Sequence, residues 1–208
     1  MKAVILLNGN PPEKELLTRE LQGCSLVVCA DGAAAWAYNM VKIDTLIGDM
    51  DSLGDRLNEI APCCGEIVRL PTEKDMTDAE EAVRYALKKG AEEIVMLGAI
   101  GSRMDHTLGN IQLLCLMNDR KVKGTMADSH NRITVISERT EFAGAKGDLL
   151  SIIPIGEGVV VHKTEGLYYP LSEAVMPLTS ALGISNVFTE ERATVDVSGR
   201  CIVVMACD

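Results

Sequence analysis

The chain has 208 residues, 47% of them hydrophobic, enough for one large domain or two small ones with their own cores. A formal net charge of −10 excludes a nucleic-acid surface, which needs clustered Lys and Arg, and aromatic residues at 3% leave too few rings for base-stacking platforms. No apolar run reaches the length of a membrane span, and the apolar opening is cut off by Asn8-Gly9-Asn10-Pro11-Pro12, which reads as a first strand and turn, not a signal peptide.

Residues 2–7 form a short continuous apolar run, a buried strand by pattern. The polar stretch 13–21 carries Leu16, Leu17 and Leu21 at helical spacing. Residues 25–30 read as a second strand ending at Asp31-Gly32, with an Ala-rich helical segment over 33–40. Residues 45–47 are a third strand, closed by Gly48-Asp49-Met50-Asp51-Ser52, after which a helix-like segment starts near Leu53. Residues 66–70 are a fourth, followed by Pro71-Thr72-Glu73-Lys74-Asp75. The clearest helix comes next, with Ala79, Ala82, Val83, Ala86 and Leu87 at helical intervals and charges between them. Thr77 is its expected N-cap, Glu80 the capping-box partner and Gly90 the terminator. A fifth strand, 93–97, runs into Gly98-Ala99-Ile100-Gly101-Ser102-Arg103-Met104-Asp105-His106, and an apolar helix follows to about Met117. Strands alternating with helices imply parallel pairing and right-handed crossovers.

After residue 120 the pattern changes. Segments 122–127, 131–136, 149–155, 158–164, 193–197 and 201–206 read as strands separated by Gly, Asp, Asn or Pro turns, the pattern of an antiparallel sandwich or barrel. The expected architecture is therefore α/β: a Rossmann-like, mostly parallel sheet domain over residues 1–122, then a smaller all-β sandwich domain over 123–208.

This order locates the carboxylates. Asp31 follows the second strand, Asp49 and Asp51 the third, Asp75 and Asp78 the fourth, and Asp105 the fifth. All fall at the carboxyl ends of a parallel sheet, where open α/β folds bind ligands. Several negative charges on one rim need an offset, and a bound Mg²⁺ supplies one. The simpler account, that each Asp caps its own helix, holds in part at Thr77-Asp78 but leaves the clustering unexplained. The same rim carries Gly32, Gly48, Gly98 and Gly101, which let backbone N–H groups approach an anion, and helix N-termini that favour one. Lys74 and Arg103 add positive charge; Arg103 either grips a phosphate or pairs with Asp105 or Asp49. Neither a P-loop nor a Gly-x-Gly-x-x-Gly fingerprint occurs. The seven cysteines are odd in number and have no Cys-x-x-Cys spacing, so they read as reduced thiols of a cytoplasmic protein without a zinc site.

The ordered set of Ala30-Asp31-Gly32-Ala33, Ile47-Gly48-Asp49-Met50-Asp51-Ser52, Lys74-Asp75-Met76-Thr77-Asp78, the loop from Gly98 to His106, Gly166-Leu167-Tyr168-Tyr169-Pro170-Leu171 and Gly183-Ile184-Ser185-Asn186 resembles the thiamine pyrophosphokinase family over nearly the whole chain. The resemblance implies transfer of a pyrophosphoryl group from ATP to the hydroxyl of thiamine, giving thiamine diphosphate and AMP. It implies that Asp49, Asp51, Asp78 and Asp105 hold Mg²⁺, and that Asp75 or one of these accepts the hydroxyl proton, a choice the residues leave open. It puts Asp31, Gly32, Ser52, Lys74, Arg103, His106 and Asn110 at the nucleotide, and Thr77, Tyr168, Ser185 and Asn186 near thiamine. It also implies a homodimer whose active sites are shared between the α/β part of one copy and the β part of the other. A metal-dependent phosphohydrolase built on Asp49-x-Asp51 and a non-catalytic nucleotide-binding sensor are the alternatives; AMP formation dependent on thiamine separates them.

Overall fold

The computed structural model describes residues 1–73 and 75–206, and the chain divides into two compact units, Met1–Ser129 and the residues from His130 onward. In the first unit, β1 (Lys2–Leu6), β2 (Cys24–Ala30), β3 (Ile43–Gly48), β4 (Cys64–Arg69), β5 (Glu93–Leu97) and β6 (Lys123–Ala127) form a wholly parallel sheet in the order β6-β5-β1-β2-β3-β4. β1 lies between β2 and β5, and its residues from Ala3 to Leu6 are all fully buried. That is why its sequence is apolar without alternation: a parallel strand covered on both faces has no solvent side.

The connections are α1 (Lys14–Leu21), α2 (Ala34–Ala37), α3 (Leu57–Ile60), α4 (Asp78–Lys88) and α5 (Met104–Asp119). α4 follows its sequence signals closely. Thr77 caps it by accepting the Glu80 N–H at 3.2 Å, and Gly90, at φ +86°, lies just beyond its end. The Ala-rich segment is shorter than its composition implies. A 3₁₀ turn (Asp31–Ala33) and four residues of α-helix replace it, because Ala33, Ala34 and Ala37 sink fully into the core against their own sheet.

β6 departs from the expected domain division. The sequence assigns its segment to the β part, yet it pairs in parallel with β5 from Glu93↔Lys123 to Leu97↔Ala127. α5 returns the chain for one more βαβ crossover, and an apolar run by itself does not say which partner it takes.

The second unit contains β7 (Asn131–Ile136), β8 (Thr140–Ala143), β9 (Leu149–Glu165), β10 (Ser172–Val175), β11 (Asn186–Val187) and β12 (Arg192–Ala206), all antiparallel. Gly156-Glu157-Gly158 and Ser198-Gly199 read as turns between separate strands, but β9 and β12 run through them as long bent strands with shifts of register. β11 and β7 flank one half of this pair, and β10 and β8 flank the other. The two halves face each other across one buried cluster, in which Leu150, Ile152 and Val203 meet Val161, Val195 and Phe188. That is the sandwich, made by two strands that switch layers at their bends.

Candidate active site

A cleft of about 510 Å³ opens at the carboxyl ends of the parallel strands. Asn8, Gly9 and Asn10 after β1, Asp31 and Gly32 after β2, and Ser52 beyond β3 line it. So do Thr77 and Asp78 at the start of α4, Gly98, Ala99, Gly101, Ser102 and Arg103 after β5, and His106, Thr107 and Asn110 of α5.

Local packing fixes this geometry. Gly9 N–H donates to the Gly98 carbonyl and Asn10 N–H to that of Ile100, both at 2.8 Å, so the loops after β1 and β5 lie against each other. Gly98 has φ +66°, and a Cβ there would run into the Leu7 carbonyl oxygen; only glycine permits the approach. Asn110 is buried, and its Nδ2 donates to the Ala99 carbonyl at 2.8 Å; Thr107 Oγ1 takes the Gly101 N–H at 3.4 Å. α5 therefore pins the glycine loop from beneath. The Asn110 side chain, expected at the nucleotide, spends a donor on holding its wall.

Asp31 is the most constrained group in the cleft. It is 7% exposed, its φ is +34°, and Oδ1 is buried with no hydrogen-bond partner among the described residues. A Cβ on Gly48 would stand 2.7 Å from the Asp31 Cβ, so the glycine closing β3 makes room for this carboxylate. A buried carboxylate oxygen left unsatisfied costs about 1–3 kcal/mol or more. Such an atom on a cleft wall awaits a donor or a cation.

The other predicted carboxylates are distributed differently. Asp49 and Asp51 flank Met50, which takes φ +70°, and Asp51 N–H donates to Asp49 Oδ1 at 3.1 Å. Neither lines the cleft wall, and neither does Asp75. Asp105 is engaged by Arg103, with Nη2 to Oδ2 at 2.6 Å and Nε to Oδ1 at 3.3 Å. Of the alternatives open for Arg103, the contact formed is this exposed pair, because the two side chains lie two residues apart at the helix start. The hydrogen bond from Arg103 holds the Asp105 carboxyl down at about 2, and the Arg103 value is raised in turn. Asp105 also lines a second cleft of about 400 Å³, with Glu80 and Arg84, that shares Thr77, His106 and Asn110 with the first. Among the described residues no three His, Cys, Asp or Glu side chains converge as a ready-made metal site. Lys74 lies outside the described residues.

In the second unit Asn186 is 2% exposed. Its Oδ1 accepts the N–H groups of Tyr169 and Val187, both at 2.9 Å, and its Nδ2 donates to the Tyr169 carbonyl at 2.6 Å. Tyr168 is exposed, packed edge-on to Tyr169 at 4.9 Å. Ser185 takes φ +55° and is held by Ser151 Oγ through its N–H at 3.0 Å. Asn186 thus staples the turn that carries Tyr168.

Of the expected site residues, Asp31, Gly32, Ser52, Thr77, Asp78, Arg103, His106 and Asn110 share the first cleft. Asn8, Gly9, Asn10 and Thr107 share it too, although the sequence pattern does not single them out. A signal for the first three exists: Asn8-Gly9-Asn10 closes a parallel strand on the same rim as the aspartates, but a turn explains it equally well.

A parallel α/β unit with a glycine-walled, carboxylate-bearing cleft at its strand ends, followed by an antiparallel sandwich, is the framework of a transferase of the kinase type. Residues 17–126 match the sequence model described as thiamin pyrophosphokinase, catalytic domain, and residues 131–202 the one described as thiamin pyrophosphokinase, vitamin B1 binding domain. The thiamine pyrophosphokinase of Bacillus subtilis (strain 168) is 33% identical over 154 residues, covering 71% of this chain and 70% of the relative. The crystal structure of thiamine pyrophosphokinase from Bacillus subtilis superposes with a TM-score of 0.86 at 27% identity, over 100% of both chains. That of thiamin pyrophosphokinase from Geobacillus thermodenitrificans gives 0.87 at 26% identity, over 100% of this chain and 98% of that one. The chain belongs to the thiamine pyrophosphokinase family. It is an enzyme of ATP-dependent thiamine pyrophosphorylation, yielding thiamine diphosphate, and the phosphohydrolase and sensor readings fall away.

Proposed function

We propose that the first cleft takes the nucleotide and that catalysis there is positioning and charge neutralisation rather than covalent chemistry. The observation that carries this is the buried, unpartnered Oδ1 of Asp31 on a cleft wall otherwise made of glycine loops and helix starts. Backbone N–H groups of the Gly98–Arg103 loop face the phosphates, and the start of α5 adds favourable partial charge. Gly32, Ser52 and His106 line the remaining nucleotide contacts, with Arg103 at the rim. Its pairing with Asp105 keeps a guanidinium there with donors to spare for a phosphate.

Asp49, Asp51 and Asp78 are the carboxylates for a hard cation: Mg²⁺ binds through one or two carboxylates and substrate phosphate oxygens and does not need a protein cage, so a site where only Asp78 of the three lines the cleft can still hold it. When bound there it neutralises charge developing on the phosphates. Asp105 is a fourth candidate ligand, available once Arg103 turns to the phosphate. Asp75 or one of these carboxylates takes the proton from the attacking hydroxyl. Thr77, which lines both clefts, stands where nucleotide and acceptor meet.

The thiamine end is completed by Tyr168 and Ser185 of a second copy, with Asn186 holding their turns. Exposed Tyr168, Leu178, Leu182 and Ile184 on the β unit, and Met104 and Leu108 on α5, support a homodimer with shared sites. Free thiols at Cys24, Cys29, Cys63, Cys64, Cys115 and Cys201 support a reducing, cytoplasmic setting.

The test is formation of AMP and thiamine diphosphate from ATP, thiamine and Mg²⁺. Asp78→Asn and Asp51→Asn each lower kcat by about 10²-fold or more while the fold is kept; wild-type turnover in either removes that residue from the metal set. Mixing a dead Asp78→Asn chain with a dead Tyr168→Ala/Ser185→Ala chain restores about a quarter of the sites if they are shared between copies. No recovery on mixing would show sites built within one chain.

A further inference from the structure

Outside the cleft, three side chains of the second unit make a hydrogen-bonded line. His162 of β9 has Nδ1 3.1 Å from Glu173 Oε2 and 3.4 Å from Oε1, and Nε2 2.6 Å from Ser198 Oγ. A carboxylate only accepts, so Nδ1 carries a proton, and in the neutral ring Nε2 presents its lone pair to the serine hydroxyl. This is the tautomer a general base needs to draw a proton from Oγ.

The backbone around these residues is irregular at each one. Asp196 pairs with Lys163 and Val197 with Val161, so β9 has one residue too many between them, and that extra residue is His162. Bulges re-aim a side chain out of the ladder. Glu173 lies opposite His162, between the pairs Ser172↔Lys163 and Ala174↔Val161, and takes φ +46°, a costly conformation for Glu. Ser198 precedes the second register shift of β12, beside Gly199 at φ +84°. Next to the line, Val160 pairs with both Ser198 and Val175, and Val175 is 67% exposed, so an apolar step adjoins the hydroxyl.

We propose that Ser198, His162 and Glu173 are a second reactive site, in which Ser198 is an activated nucleophile toward small apolar esters. Ser198 Oγ attacks the ester carbonyl carbon and its proton passes to His162 Nε2. The new Oγ–C bond forms, the bond from carbon to the leaving alkoxide or phenolate oxygen breaks, and that oxygen takes the proton from His162. Water, deprotonated by the same nitrogen, then attacks the acyl carbon; the Oγ–C bond breaks and His162 returns the proton to Oγ, releasing the carboxylic acid and restoring Ser198. Glu173 acts through His162 by fixing its tautomer. Val160 and Val175 seat the apolar part of the ester.

The experiment uses the full chain with 4-nitrophenyl acetate, following nitrophenolate, and in parallel with an alkyl fluorophosphonate, which forms an Oγ–P bond with loss of fluoride and is mapped by peptide mass spectrometry. The expected result is label on Ser198, and ester turnover that falls about 10²-fold or more in Ser198→Ala and in His162→Gln, and at least about tenfold in Glu173→Gln. Thiamine diphosphate formation stays at the native rate in all three, which verifies their folds. Turnover retained in Ser198→Ala, or label on another residue, overturns the proposal. So does a native chain that neither takes the label nor outpaces His162→Gln. If Ser198→Ala fails to fold, the mapped position of the label in the native chain decides alone.

Discussion

Replacing Asn186 by Ala tests whether this residue is a staple or a direct contact to thiamine. The side chain is 2% exposed and makes three bonds at 2.6 to 2.9 Å, two of them to the N–H and carbonyl of Tyr169. Alanine removes both partner atoms at once and leaves two N–H groups and one carbonyl without them, in bonds that are part-buried. An unsatisfied buried backbone group costs about 1–3 kcal/mol, partial exposure lowers that, and neighbouring losses do not add fully, so the total is about 2–4 kcal/mol. A domain of this size is stable by about 4–12 kcal/mol, so a large share of the second unit's stability is lost. Urea unfolding followed by circular dichroism reads this directly, and activity with thiamine falls at temperatures where the sandwich loosens. The staple reasoning is refuted if Asn186→Ala loses less than about 1 kcal/mol and instead raises KM for thiamine at full stability. That outcome would make the amide a direct ligand.

Asp31→Asn keeps the shape and the tolerance for positive φ while removing a buried, unpartnered charge. It leaves the ligand-free protein as stable or raises Tm by about 2–4 °C, and cuts kcat/KM about 10²-fold; calorimetry and steady-state kinetics check the two halves, and a lower Tm with full turnover refutes the assignment. Gly98→Ala puts a methyl group into the Leu7 carbonyl at φ +66°. A loss of about 2 kcal/mol or more in denaturant, with a disproportionate fall in activity, is expected, and a neutral result would mean the two loops can separate freely. In Arg103→Ala the Asp105 carboxyl rises from about 2 toward its ordinary 3.8. Because the folded-state value is the depressed one, the pair contributes fully above the ordinary value and is lost as pH falls through about 2. Carboxyl carbon shifts from NMR titration follow it, and an unchanged midpoint in the variant would mean Arg103 is not the cause.

Much of the parallel unit is legible in the residues because its signals are local. The Thr77-Glu80 cap, the helical repeat of Ala82, Val83 and Ala86, and the unbroken apolar runs of β1 and β5 each follow from a few neighbouring side chains. The bends at Gly156-Glu157-Gly158 and Ser198-Gly199 were not legible as bends. Glycines at positive φ serve a hairpin and a strand switching layers equally well, and only the partner strands decide which one forms.

Local pattern alone placed aspartates and glycines at the ends of successive strands on one rim, because strand order fixes which loops share an edge of a parallel sheet. The tertiary structure decided which of those carboxylates face the cleft. Asp49 and Asp51 turn about the left-handed Met50, Asp105 is taken up by Arg103, and Asp31 is driven inward with Oδ1 unpartnered because Gly48 leaves it room. It also brought Asn8 to the same cleft by laying the β1 loop on the β5 loop. Side-chain direction at a loop is set by what packs against it from elsewhere in the chain, and no local pattern encodes that contact.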